Sequence, residues 1–193
     1  MSASTNQETL SFRSAKEWER WLAKHHADSS GIWLRFFKKH SGIDSVAYDE
    51  ALDEALCYGW IDGQVQRYDD KSWLRKFAPR RSKSIWSKRN IHHVARLLKA
   101  HKMKPAGLKQ VEAAKADGRW EKAYDSPSAM QTPEDFLKAL ARNKKAKAFF
   151  RSLNKVNTYA IAWRLQTAHK AGTREKRMKA ILEMLAKGEK LHP

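Results

Sequence analysis

"WLRKFAPRRSKSIWSKRN", residues 73–90, is where the chain changes character. Trp73–Ala78 is rich in strand-forming residues, and after Pro79 the pattern becomes helical almost throughout. Upstream, Gly31 opens IWLRFF, whose alternation puts Ile32, Leu34 and Phe36 on one side and Trp33, Arg35 and Phe37 on the other. Trp60–Tyr68 is a further strand-like run, separated from Trp73 by Asp69-Asp70-Lys71-Ser72. Two helical stretches accompany these strands. Ser14 and Glu17 have capping-box spacing and open a helix over Ala15–His26, with Trp18, Trp21 and Leu22 on one face. YDEALDEALCY places Tyr48, Ala51, Leu52, Ala55 and Leu56 at helical spacing, and Gly59 is its expected C-cap. The expected fold class is α+β: a small, partly antiparallel N-terminal sheet with covering helices, followed by a helical C-terminal half.

Downstream, Asn90 is the expected cap of a helix to about Ala100, and Pro105 opens another that ends at Asp117-Gly118. DSPSAMQTP (125–133) has linker composition, so the expected domains are 1–124 and 133–193, with the linker about 125–132. In the second, Thr132 caps a helix carrying Phe136, Leu137 and Leu140 that runs on toward Phe149 and Phe150. A final helical pair over 157–171 and 174–187 is hinged at Gly172-Thr173, with Met178, Ile181, Leu182 and Leu185 as a core stripe.

The formal net charge is +18, unevenly placed. Residues 1–70 carry 8 Lys/Arg against 12 Asp/Glu, whereas residues 71–111 carry 13 Lys/Arg and no carboxylate. Such a one-sign belt attracts anions: nucleic acid, phosphates or an acidic surface. The leading residues show no secretory signal, no apolar run is long enough to span a bilayer, and the single Cys57 supports neither a disulfide nor a Cys-based zinc site. A cytoplasmic protein without cofactor or metal is expected. No His-Glu-x-x-His, dinucleotide fingerprint, phosphate loop or Gly-x-Ser-x-Gly elbow is present, so an enzyme is not the leading expectation.

Three constellations carry chemistry. In the basic belt Arg80, Arg81, Lys83, Lys88 and Arg89 can meet phosphate oxygens, Ser84, Ser87 and Asn90 add neutral donors, and Trp86 offers a stacking face. In GWIDGQ (59–64), Trp60 precedes Asp62 on a glycine hinge; Asp62 is a candidate base or ligand anchor, against the plainer alternative of a turn carboxylate beside a core tryptophan. In TREKR (173–177), Arg174 and Arg177 stand at a helix start, where cations oppose the macrodipole and call for a nearby anion. The four carboxylates of the YDEALDEAL helix (Asp49, Glu50, Asp53, Glu54) suit solvent, a hydrated cation, or docking against the chain's own basic half.

ALCYGWIDG (55–63), FAPRRSKSIWSKRN (77–90), MKPAG (103–107), AAKADGRWEKAY (113–124) and AGTREKRMKAILEMLAKGEKLHP (171–193) together resemble the YdeI/OmpD-associated, or bacteriocin-protection, family over roughly residues 30–193. The resemblance implies a small bacterial protein with an α+β N-terminal part and a helical C-terminal module. It carries no catalytic role to any residue. The leading expectation is a polyanion-binding protein, with nucleic acid as the partner of the 71–111 belt. The alternative is a small-molecule site or enzyme for an anionic substrate around Asp62 and Arg80, walled by Trp60 and Trp86, with Arg174 and Arg177 holding the anion.

Overall fold

A computed structural model describes residues 8–193; residues 1–7, part of the stretch read as lacking a secretory signal, lie outside the described residues. The chain divides into two compact units. One holds the described residues through Trp86 together with Asn90–Lys122; the other holds Ser87–Arg89 and Ala123–Pro193.

The first unit is built on a four-stranded mixed sheet of β1 (Thr9–Leu10), β2 (Ile32–Phe37), β3 (Trp60–Arg67) and β4 (Ser72–Pro79), in the order β1-β2-β4-β3. β1 runs parallel to β2, whereas β4 is antiparallel to both of its neighbours. Cross-strand pairs Ile32↔Phe77, Leu34↔Arg75 and Phe36↔Trp73 place these six side chains on one face. Helix α1 (Ala15–His25) covers that face, with Trp18 edge-on to Phe77 at 5.8 Å and to Trp60 at 6.2 Å. The indole N–H of Trp18 donates to the Ala51 carbonyl at 3.0 Å, tying α1 to α2 (Tyr48–Cys57). Buried Leu22, Leu34, Leu52, Leu56 and Phe77 complete a core dominated by aromatic rings.

Helix α3 (Lys88–Lys99) begins two residues before the expected cap, and Asn90 lies inside it and is buried rather than capping. Helix α4 (Pro105–Ala116) follows, with proline in its first turn. The Lys104 amide donates to the Cys57 carbonyl at 3.1 Å, and α4 comes so close to the end of α2 that a Cβ on Gly107 would lie 2.2 Å from that oxygen. Asp62-Gly63 is neither a hairpin turn nor a hinge. It sits at a bulge in β3, where Asp62 opposes Phe77 and Val65 opposes Arg75. A Cβ on Gly63 would meet nothing closer than 3.7 Å, so no close approach requires glycine there.

The second unit is helical: α5 (Glu134–Ala141), α6 (Lys144–Ser152), α7 (Lys155–Gln166) and α8 (Ala171–Ala186). Phe136, Leu140, Ala146, Ile161, Leu165, Ile181 and Leu185 form its core, with Met178 and Leu182 packed against it. Residues 125–133 are without helix or strand. Helix boundaries differ from the expectation for local hydrogen-bonding reasons. Pro133, not Thr132, precedes α5. The Asn143 side chain accepts the Ala146 amide at 3.0 Å and starts a new helix, which separates Phe149 and Phe150 from α5. Asn154 caps α7, whereas Asn157 is buried and exchanges hydrogen bonds with the backbone of His192. The last turn spans 167–170, and Gly172 and Thr173 are inside α8.

Candidate functional site

The basic belt separates into inward and outward cations. The Arg80 side chain is 5% exposed, and its guanidinium lies 3.6 Å from the centroid of the Trp86 ring. Trp86 is 2% exposed and packs against Trp120 at 5.0 Å, while Lys115 lies over the Trp120 ring at 5.4 Å. Trp86 therefore presents no free face to a base, and its indole N–H is buried without a hydrogen-bond acceptor among the described residues. The backbone between them is a tight turn: the Ser84 amide donates to Arg81 O at 2.9 Å, and the Arg81 amide donates to the Ser84 hydroxyl at 3.0 Å. Arg119 locks the turn by donating to Ser84 O at 2.8 Å. Arg81 and Lys83 project from it into solvent.

Other cations of the belt are neutralised internally. Asp53 on α2 binds both His93 and Arg96 on α3, at 2.7 and 2.5 Å. Lys104 pairs with Glu19 at 3.5 Å. The acidic face of α2 thus docks on the chain's own basic segment, one of the three roles its carboxylates suited. Its neighbour Glu54 has its carboxyl raised above the usual range, chiefly by burial. Within the second unit Lys88 pairs with Asp125 at 2.7 Å, and Asp125 also accepts from Gln166; these two hydrogen bonds, Lys88's first, hold its carboxyl below the usual range. Lys71, Arg81, Lys83, Lys99, Lys102 and Lys109 remain exposed and form no ion pair among the described residues.

Asp62 has a built-in counter-ion. Its Oδ2 receives the Tyr48 hydroxyl at 2.7 Å, Arg75 Nε at 2.9 Å and a terminal Arg75 nitrogen in a short ion pair. The side chains of Asp62 and Arg75 are 11% and 24% exposed. The guanidinium also lies 5.1 Å from the Tyr48 centroid. Trp60 is core: it is 1% exposed, donates to His26 O at 3.1 Å and meets Trp18 and Trp21 edge-on. The sequence supplies a signal for the Asp62 pair. Strand alternation puts Arg75 between Trp73 and Phe77 on the covered face, where a cation needs a carboxylate.

In the second unit, Arg174 meets the anion that its helix-start position demands. It is bidentate to Asp135 at 2.7–2.9 Å and donates to Leu165 O at 2.5 Å. The Arg174 hydrogen bonds hold the Asp135 carboxyl below its ordinary value. Arg177 donates to Arg164 O at 2.7 Å and to the Thr167 hydroxyl at 3.3 Å, closing the end of α7. Ser87 and Asn90 are buried, and Lys88 and Arg89 are exposed. Burial pushes the Cys57 thiol up to about 12, so it stays protonated at neutral pH and serves the core. Among the described residues no cluster of His, Cys, Asp or Glu is arranged to hold a metal ion, and no helix is long and apolar enough to cross a membrane.

A mixed-sheet unit carrying a basic segment, joined in one chain to a four-helix unit, is the class that these features define. Residues 10–110, more than half of the chain, match the family described as "Domain of unknown function (DUF8412)", and the chain belongs to that family. Residues 129–188 match the family described as "Bacteriocin-protection, YdeI or OmpD-Associated". That match is narrower than the resemblance over 30–193: ALCYGWIDG, FAPRRSKSIWSKRN and MKPAG lie within the first family's span, and AAKADGRWEKAY lies between the two. No curated protein and no solved structure matches the chain.

Proposed function

We propose that this protein is a non-enzymatic, cytoplasmic binding protein that engages a polyanion, nucleic acid above all, through the outward cations of residues 71–111. One observation carries the reading. Arg81 and Lys83 stand exposed without an acidic partner among the described residues, in a segment of 13 cations and no carboxylate. A fold gains nothing from such uncompensated charge, which repels itself; a phosphate backbone supplies the missing counter-charge. Because Trp86 is enclosed, the mode of binding is phosphate contact without base stacking, and the affinity is insensitive to sequence. The match of residues 129–188 supports bacteriocin protection as the setting.

Fluorescence anisotropy with labelled duplex and single-stranded oligonucleotides across a salt series tests this. Binding should weaken linearly in log affinity against log salt, by about 0.9 per phosphate neutralised on duplex. Arg81→Ala/Lys83→Ala should make that slope shallower by roughly two phosphates' worth, while Trp86→Phe should leave strand preference unchanged. Absence of binding at about 50 mM salt, or a slope unaltered in the double variant, would overturn the proposal.

A further inference from the structure

The helix-facing side of the sheet does not end at the core. Beyond the first turn of α2, the loop of residues 38–47 stands away from β2 and β4 and leaves a cleft of about 510 Å³ in the first unit. That is within the size range of small-molecule sites. Its wall is aromatic. Phe36 and Trp73, directly opposed across β2 and β4, stack at 4.6 Å with 17° between their planes. The Tyr48 ring lies 6.2 Å from each of them. The loop is pinned rather than loose: Lys38 N donates to Lys71 O at 2.8 Å, Phe37 N to the Ser45 hydroxyl at 3.2 Å, and Val46 N to Phe12 O at 2.9 Å. The cleft therefore exists before any ligand arrives, which lowers the entropic cost of binding.

The polar groups on the rim are of one dominant sign. Lys38 and Lys39 line the cleft and Asp44 opposes them. Lys38 is anchored through its ammonium to Asp70 O at 2.9 Å, whereas Lys39 is exposed. Ala47 and Tyr48 at the start of α2 line the same space, but the Ala47 amide already donates to the Glu50 carboxylate at 3.1 Å, so the positive charge available to a ligand is that of the lysines. Deeper, the Tyr48 hydroxyl is fixed by donation to Asp62, so the ring that borders the cleft is held in place. Exposed Ile43, on the loop, adds an apolar lip.

We propose that this cleft binds a small aromatic carboxylate, its ring against Trp73 and Tyr48 and its carboxylate at the Lys39 ammonium. A flat ring matches the stacked wall, and a single negative charge matches the excess of the two lysines over Asp44. The site is distinct in chemistry from the phosphate-binding role of the 71–111 segment. An oligonucleotide should not displace an occupant of the cleft.

The test is amide-resolved NMR titration of the whole chain with indole-3-acetate, its uncharged twin indole-3-acetamide, and acetate. Indole-3-acetate should produce saturable shifts concentrated at residues 36–48 and Trp73. The amide twin should bind at least about tenfold more weakly, the ordinary loss for one charge-assisted hydrogen bond, and acetate should produce no saturable shift. Lys39→Gln, a surface change, should lower affinity for the acid about tenfold and leave the amide's unchanged. The proposal is overturned by equal affinity for acid and amide, by shifts centred outside the cleft, or by no saturation at about 10 mM, well above the millimolar Kd ordinary for a molecule of this size.

Discussion

The two units solve the same problems with different materials. In the first, backbone lies directly on backbone: Gly59 sits against the Ala106 carbonyl and Gly107 against those of Leu56 and Cys57. Seven of the eight tryptophans are there, and Trp163 alone is in the second. In the second unit helices meet through side chains, aliphatic ones together with Phe136, Phe149 and Phe150, and neither Gly172 nor Gly188 has a backbone atom near its Cβ direction. The contrast extends to charge. Each unit has an arginine–carboxylate pair, but Arg75–Asp62 is enclosed beneath α2, whereas Arg174–Asp135 stands at a helix start with the Asp135 side chain 51% exposed. The same residue types therefore carry different weight in the two places, because enclosure decides how much a misfit or a lost partner costs.

One substitution made in both units sharpens this most. Gly107→Ala should destabilise the first unit by about 3 kcal/mol or more, since backbone rather than a flexible side chain must yield. Gly172→Ala, inside α8 with nothing within 4 Å, should instead stabilise by a few tenths to about 1 kcal/mol. Denaturant unfolding followed by Trp163 for the second unit and by the remaining tryptophans for the first reads both signs. Equal effects would abolish the distinction.

The ion pairs come next. Asp62→Ala strands a largely enclosed guanidinium and should cost about 3 kcal/mol, near the low end for a buried pair because Arg75 retains some solvent. Asp135→Ala should cost about 1 kcal/mol or less, as exposed pairs do. Replacing Asp62 and Arg75 together by Asn and Met should recover most of the loss. If the double variant is no better than Asp62→Ala, the penalty lies elsewhere than in the uncompensated charge.

The smallest effect is a dependence on pH. Asp125 and Asp135 have depressed folded-state values, so the stability that they contribute is complete above the unfolded carboxylate value near about 3.9 and is lost as pH falls through the lowered ones. In the first unit Asp69 and Asp117 are depressed as well, but Glu54 is raised, so its protonation on acidification has the opposite sign and offsets part of that unit's loss. Thermal unfolding between about pH 5 and pH 2 should show Trp163 reporting the steeper loss. Asp125→Asn/Asp135→Asn should flatten that loss; an unchanged profile would remove these two carboxylates as its cause.

Local pattern alone settled the α+β class, three of the four strands to within a residue or so, the covering helices, the aliphatic stripe of α8 and the one-sign segment at 71–111; the two-residue β1 was too short to show an alternation. Strand alternation, helical spacing and charge are properties of neighbouring residues, so they are readable along the chain. The need for an anion at Arg174 was legible for the same reason, being a consequence of its place at a helix start. What answered that need, Asp135, was not, and neither was the pairing of Asp53 with His93 and Arg96; at Arg75 strand alternation signals that a carboxylate is needed but not that Asp62 is the one to meet it. These partners lie 13 to 43 residues apart in sequence, and only the folding of distant segments onto one another selects them. The same holds for Trp86 and Arg80: composition supplied a cation and a ring beside serines, but tertiary packing turned both inward and left Arg81 and Lys83 outside. A sequence states which groups are available; which of them remain available to a partner is decided by burial, because an enclosed charge or ring has already spent its interactions within the fold.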